Sequence, residues 1–179
     1  MKVLILYSSG YGATKEVSQE IGRMIEQEKG FQVSVQSIDE ANEIAKYDAI
    51  IVGSSVRADR PLANVRDFFA RYRYILPEKK IALFAVCLTA KDAKGREKVE
   101  MEYISQITNK YPKLEPVKIG AFGGKIDFDK LNPVMKELMV HVLEKTGVPT
   151  TGSVDTRDWA YIHKWALDLR KELLEAQEF

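Results

Sequence analysis

Tyr7-Ser8-Ser9-Gly10-Tyr11-Gly12-Ala13-Thr14 follows directly on the apolar run Val3-Leu4-Ile5-Leu6 and leads into a one-sided helical pattern. A strand that turns through glycines into a helix leaves the first helical amides without partners. It also aims the positive end of the helix dipole at the turn, which makes an anion site. Gly10 and Gly12 let the backbone turn tightly and approach a phosphate with no side chain between, and Ser9 and Thr14 add hydroxyl donors. The Gly-Lys-Ser/Thr ending of a nucleoside triphosphate loop is missing, so no lysine reaches terminal phosphates and no hydroxyl is set for Mg²⁺. A phosphate monoester held by neutral donors is the better guest, with Ser9, Gly10, Tyr11, Gly12, Ala13 and Thr14 as its cradle.

Further along the chain, residues 33–35, 49–52 and 81–86 are β-branched or continuously apolar, and residues 117–122 form a fifth, less apolar run. Strands buried on both faces of a parallel sheet lose polar alternation, so runs of this kind separated by amphipathic stretches predict βαβ units. The intervening stretches have helical spacing: Val17, Ile21, Met24 and Ile25; Val65, Phe68, Phe69 and Tyr72; Val99, Tyr103, Ile104 and Ile107. A last helix carries Trp159, Ile162, Ala166, Leu169 and Leu173, with Asp155 or Thr156 as its expected cap and the two tryptophans Trp159 and Trp165 as its anchors on the sheet. The least regular region, 123–155, holds one extra helix over about 131–145, ended by Gly147 and Pro149. Its apolar residues Leu131, Val134, Met135, Leu138, Met139 and Val142 make a broad face expected to pack on the body of the domain. A substrate lid, a homodimer interface and peripheral membrane contact are its alternative uses.

The 179 residues suit a single domain spanning 1–179, and 45% hydrophobic with 30% charged residues is ordinary for a folded globular chain. Basic and acidic residues nearly cancel, 27 against 26, so no global field gathers nucleic acid, and no nucleic-acid partner is expected. The single cysteine, Cys87, rules out an internal disulfide, and with only His141 and His163 beside it no zinc-type spacing can be assembled, so no metal site is expected. The apolar start at residues 3–6 is too short for a signal peptide and no run approaches the ~20 residues of a membrane span, which predicts a cytoplasmic protein.

The loop at residues 8–14 resembles the flavodoxin family, in which a seven-residue loop of serine and threonine hydroxyls around a glycine wraps the FMN phosphate. Ser9, Gly12 and Thr14 match that pattern, while Gly10 and Tyr11 stand where many flavodoxins carry threonines. The match is nearer to the subgroup containing the quinone-dependent protoporphyrinogen IX dehydrogenases. It continues through Gly53-Ser54-Ser55-Val56-Arg57, Val86-Cys87-Leu88-Thr89-Ala90 and Asp155-Thr156-Arg157-Asp158-Trp159, covering essentially the whole chain.

The resemblance implies an α/β, flavodoxin-like three-layer sandwich. Its five-stranded parallel sheet would have order 2-1-3-4-5, helices on both faces, and the extra helix in an insert after strand five. Ligands in such folds bind outside the carboxyl ends of the strands where the strand order reverses, a rule for which flavodoxin itself is a stock example. FMN is then the implied cofactor, with phosphate at residues 9–14 and the ring flanked by Ser54, Ser55, Val56 and Arg57 on one side and Cys87, Leu88, Thr89 and Ala90 on the other. Near the ring edge, Arg57 would favour the negatively charged reduced flavin, or with Arg60 recognise a carboxylate-bearing substrate.

Flavin chemistry needs position and electrostatics from the protein and no acid–base pair, so no catalytic residue is expected and the lack of a Ser/His/Asp set is no objection. Ordinary flavodoxins are strongly acidic and stack aromatics on both flavin faces. This chain is near neutral and has no aromatic in 54–59 or 87–91. An accessible ring suits a small-molecule substrate with electrons passed to a quinone or another acceptor; a soluble carrier between redox proteins is the alternative. A phosphorylation-type receiver domain would need acidic residues where Tyr7-Ser8 and Gly53-Ser54 stand. In a dinucleotide-binding domain Lys15 would replace the third glycine, although Asp39 sits where a ribose-binding carboxylate belongs. A module without any cofactor would show no flavin spectrum.

Overall fold

The computed structural model describes residues 1–57, 60–143 and 147–175. Five strands, β1 (Lys2–Ser8), β2 (Gln32–Ser37), β3 (Ala49–Arg57), β4 (Lys80–Val86) and β5 (Lys118–Phe122), form a parallel sheet in the order β2-β1-β3-β4-β5. In the register, Val3 lies opposite Val33 on one side and Ala49 on the other, and the order reverses beside β1. Five helices accompany it: α1 (Ala13–Glu26), α2 (Ala63–Tyr72), α3 (residues 93–110), α4 (Pro133–Leu143) and α5 (Trp159–Glu175).

Side-chain alternation along the strands builds two cores. On β1, Val3 and Ile5 face α1 and α5, packing with Val17, Ile21, Ile25, Ile162 and Trp165. Leu4 and Leu6 face the other way, onto Val65, Phe68, Phe69, Tyr103 and Ile107 of α2 and α3. Every residue of the run is thus buried, which is why it reads as continuously apolar. Burial of each such side chain stabilises by about 1.5–3 kcal/mol before entropy is counted. The edge strand β2 is only half-buried and keeps its polar residues.

Three features depart from the sequence expectation. The sheet gains a two-residue antiparallel strand, Arg60–Pro61, pairing Val56 with Pro61 and Arg57 with Arg60, and the insert forms a separate ribbon of Lys125–Asp127 with Ser153–Asp155. Helix α3 contains a π turn, Glu100–Ile104, and both Tyr103 and Ile104 are buried against the sheet there. The cap of α5 is neither Asp155 nor Thr156, because Asp155 is held by Arg157 and Thr156 by Gly124; Asp158 takes the place, its Oδ1 accepting from the Tyr161 amide at 3.0 Å.

The insert helix packs by a different face from the one its hydrophobic pattern predicts. Leu131, Met139, Val140 and Leu143 join a third cluster with Leu88, Ile126, Phe128, Val148 and Val154, while Val134 and Leu138 are 76% and 52% exposed. The ribbon and Leu88 offer cover along one stripe only, so the rest of the apolar face is left outward. Residues 144–145 at the expected helix end and the Val142 side chain lie outside the described parts.

Candidate functional site

Strand β1 delivers Ser8 to the carboxyl edge of the sheet, and the chain reverses into α1 through Gly12, whose φ of +90° is a conformation side-chain-bearing residues rarely adopt. A Cβ added there would meet no atom within 4 Å, so the loop is open on that side. The Ser9 hydroxyl accepts from the Gly12 amide at 2.9 Å, and the Thr14 and Ser55 hydroxyls are 2.7 Å apart. Ser55 also accepts, at 3.4 Å, from the Gly10 amide, tying the loop to the end of β3. Among the described residues the amides of Tyr11, Ala13, Thr14 and Lys15 have no hydrogen-bond acceptor. Unpaired amides at a helix start beside three hydroxyls suit an anion with several acceptor oxygens, as a phosphate monoester is.

The period of two along β3 divides the second loop. Ser55 and Arg57 face the β1–α1 turn: the Arg57 Nη2 lies 2.6 Å from where a Cβ on Gly10 would stand, and its guanidinium is 6.0 Å from the Tyr11 ring centre. The guanidinium therefore covers the loop at residues 10–11. Ser54 and Val56 face away. Ser54 donates to the Ser55 carbonyl and accepts from the Leu62 amide at 3.2 Å, and Val56 packs on the α2–α3 core. Gly53 sits within the strand beneath the Phe84 ring, where any side chain would collide.

The third loop is divided in a similar way. Leu88 turns into the insert cluster and Ala90, 1% exposed, into the α2–α3 core. Cys87 and Thr89 are half-buried, with the Cys87 amide donating to the Phe122 carbonyl at 3.0 Å and the Thr89 carbonyl packed against Gly95 of α3. Cys87 also packs against the α2–α3 core.

Two supports escaped the sequence reading. Asn64, at the start of α2, accepts from the Ser8 hydroxyl at 2.6 Å and donates to both Asp39 carboxylate oxygens at 3.0 and 3.2 Å, so Asp39 is engaged in fixing the loop. Arg157, with a side chain only 4% exposed, donates to Glu16 at 2.7 Å and to Asp155 at 2.8 and 2.6 Å, and stacks on Trp159 at 4.7 Å. Hydrogen bonding to that guanidinium is the main cause that holds the Glu16 and Asp155 carboxyls below their ordinary range. The insert ribbon is thereby clamped to the first turn of α1. Arg157 was visible as part of the segment 155–159, but its partner Glu16 lies far away in sequence, which no local pattern reveals.

Trp165 anchors α5 as expected, its Nε1 donating to the Ile119 carbonyl at 2.8 Å, whereas Trp159 is only partly buried. His163 sits 2.5 Å from a Glu20 oxygen on the far flank of α1. No group of His, Cys, Asp and Glu among the described residues is arranged to hold a metal. Nor is any described helix long and apolar enough to cross a membrane.

A family model described as a flavodoxin domain matches residues 4–153 of the chain. The chain belongs to the flavodoxin domain family. FMN is accordingly its cofactor, in keeping with the unpaired amides and hydroxyls at the start of α1. Two similar curated proteins are both named protoporphyrinogen IX dehydrogenase [quinone]. The one from Leishmania major is 26% identical over 171 residues, covering 93% of this chain and 74% of that protein. The one from Escherichia coli K12 is 21% identical over 177 residues, covering 94% of each. Among solved structures, a flavodoxin from the domain Archaea superposes with a TM-score of 0.55 at 19% identity, covering 97% of this chain and 99% of its own.

Proposed function

We propose that this flavodoxin-domain protein is an FMN-dependent oxidoreductase of the protoporphyrinogen IX dehydrogenase type, taking electrons from a small flat substrate and passing them to a quinone or another acceptor. The amides of residues 11 and 13–15, with Ser9, Thr14 and Ser55, would hold the FMN phosphate, and Arg57 would close over it. Cys87 and Thr89 would border the ring. Bound flavin supplies the redox chemistry; the residues of this chain bind, orient and leave one ring face open.

The observation that carries the reading is the composition of the two ring-side loops, 54–59 and 87–91, which offer no aromatic side chain to cover a ring. A near-balanced charge of +1 supports it as well, since the chain carries no net negative charge to steer it to basic redox proteins. The two curated relatives bear the name of this activity and match along nearly the whole chain.

The test is anaerobic mixing of the FMN-loaded protein with protoporphyrinogen and a soluble quinone, following porphyrin fluorescence. Catalytic porphyrin formation that depends on both FMN and quinone supports the proposal. No turnover, together with rapid reduction by a flavodoxin reductase, would make the protein a carrier instead.

A further inference from the structure

A groove of about 470 Å³ opens between α2 and α3 beside the short strand Arg60–Pro61. Its cations are Arg60, Arg66 and Lys110, all exposed, and among the described residues no carboxylate lines it. Among the described residues none of the three is ion-paired, whereas Arg23 and Lys118 are. Phe69 and Ile107 are buried behind the groove, and the half-buried Tyr111 ring, stacked on Phe69 at 6.0 Å and 30°, is the aromatic surface it presents. Three cations with no ion pair among the described residues thus gather around one half-buried aromatic ring.

We infer that this groove binds a flat apolar molecule through its carboxylates, the apolar body lying over the Tyr111 ring and the aliphatic stems of Arg66 and Lys110 and the acidic edge meeting their charged ends. The volume falls in the range of small-molecule sites, and an apolar lining with few polar anchors is their usual composition. Guanidinium and ammonium groups give carboxylates charge-assisted hydrogen bonds. A nucleic-acid strand is a poorer occupant, because it needs an extended basic track and this one is a single short recess. Arg60 also connects the groove to the flavin site, since it is paired with Arg57 in the antiparallel ladder. Naming a tetrapyrrole dicarboxylate as the molecule rests on the proposed function; the groove's preference for carboxylates does not.

The experiment titrates the FMN-loaded protein with protoporphyrin IX and with its dimethyl ester, following fluorescence at low ionic strength, for the wild type and the double variant Arg66→Gln/Lys110→Gln. Wild type should bind the free acid about tenfold tighter than the ester, equivalent to 1.4 kcal/mol. The double variant should lose that tenfold for the acid, leave ester binding unchanged, and keep its flavin spectrum and melting temperature. Equal binding of acid and ester by the wild type, or an unaffected double variant, overturns the inference. If the binding pattern is as expected but protoporphyrinogen is not oxidised, the groove stands and the proposed activity falls. Oxidation that proceeds with a double variant binding like wild type has the opposite meaning.

Discussion

Replacing Arg57 with glutamine should weaken FMN binding selectively, by an amount that follows from where the guanidinium sits. Its Nη2 is 2.6 Å from the position of a Cβ on Gly10, so an anion held by the amides of residues 11 and 13–15 would lie near ion-pair distance from it. Two unit charges about 4 Å apart are worth about 1 kcal/mol in water and about 4 kcal/mol at an effective dielectric of 20. Arg57 is exposed, which puts the interaction near the lower figure, and the roughly dianionic charge of a phosphate monoester raises it somewhat. The expectation is a loss of about 1–2 kcal/mol, or roughly 5- to 30-fold in the dissociation constant. Riboflavin, which has the ring and no phosphate, should bind Arg57→Gln and wild type equally, and added salt should shrink the FMN difference. Flavin fluorescence quenching by the apoprotein measures all of this. If FMN and riboflavin weaken together, or the reduction potential moves while FMN affinity does not, the guanidinium acts on the ring and the placement argued here is refuted.

Gly12→Val tests the cradle from the backbone side. With φ at +90° and no atom within 4 Å of the new Cβ, the variant pays in conformation and not in collision, about 1–3 kcal/mol, so it should melt several degrees lower yet fold. It should also take up FMN at least tenfold more weakly; a folded Gly12→Val with wild-type affinity would mean that 8–14 is not the phosphate loop. Glu20 gives a pH prediction: the Arg23 guanidinium first, and His163 second, hold its carboxyl down at about 2, from an ordinary value of 4.5. A depressed native pKa contributes stability above the unfolded value and loses it as pH falls from about 4.5 towards 2. The Glu20→Gln variant should therefore be less stable than wild type at pH 6–7, by no more than about 1 kcal/mol because Arg23 is more than half exposed, and the difference should vanish near pH 2. Urea titrations at several pH values check it, and a difference that grows on acidification would contradict the pairing.

The sheet was legible in the sequence because its strands are covered on both faces. Val3, Leu4, Ile5 and Leu6 are each fully buried, against alternate layers, so burial itself writes the pattern. The glycine-led turn was legible for a related reason: a φ of +90° at a helix start constrains the residue type directly. What depends on partners far along the chain was not. Nothing local says that Leu88 and Ala90 turn into separate cores while Cys87 and Thr89 are only half-buried. The direction of Arg57 follows from the strand period once Gly53 is known to face Phe84, but that facing is a tertiary fact. The insert helix misled because an amphipathic pattern assumes cover for its whole apolar stripe, and here the ribbon covers only the part at Met139, Val140 and Leu143.

The central claim is that the turn from β1 into α1 holds the phosphate of FMN. Equilibrium titration of the apoprotein with FMN, riboflavin and FAD tests it most directly. A terminal monoester fits a helix-start loop, a bridged pyrophosphate overfills it, and riboflavin leaves it empty. Saturation at a single FMN per chain, with FMN bound more tightly than both riboflavin and FAD, is the expected result; equal affinity for all three would contradict it.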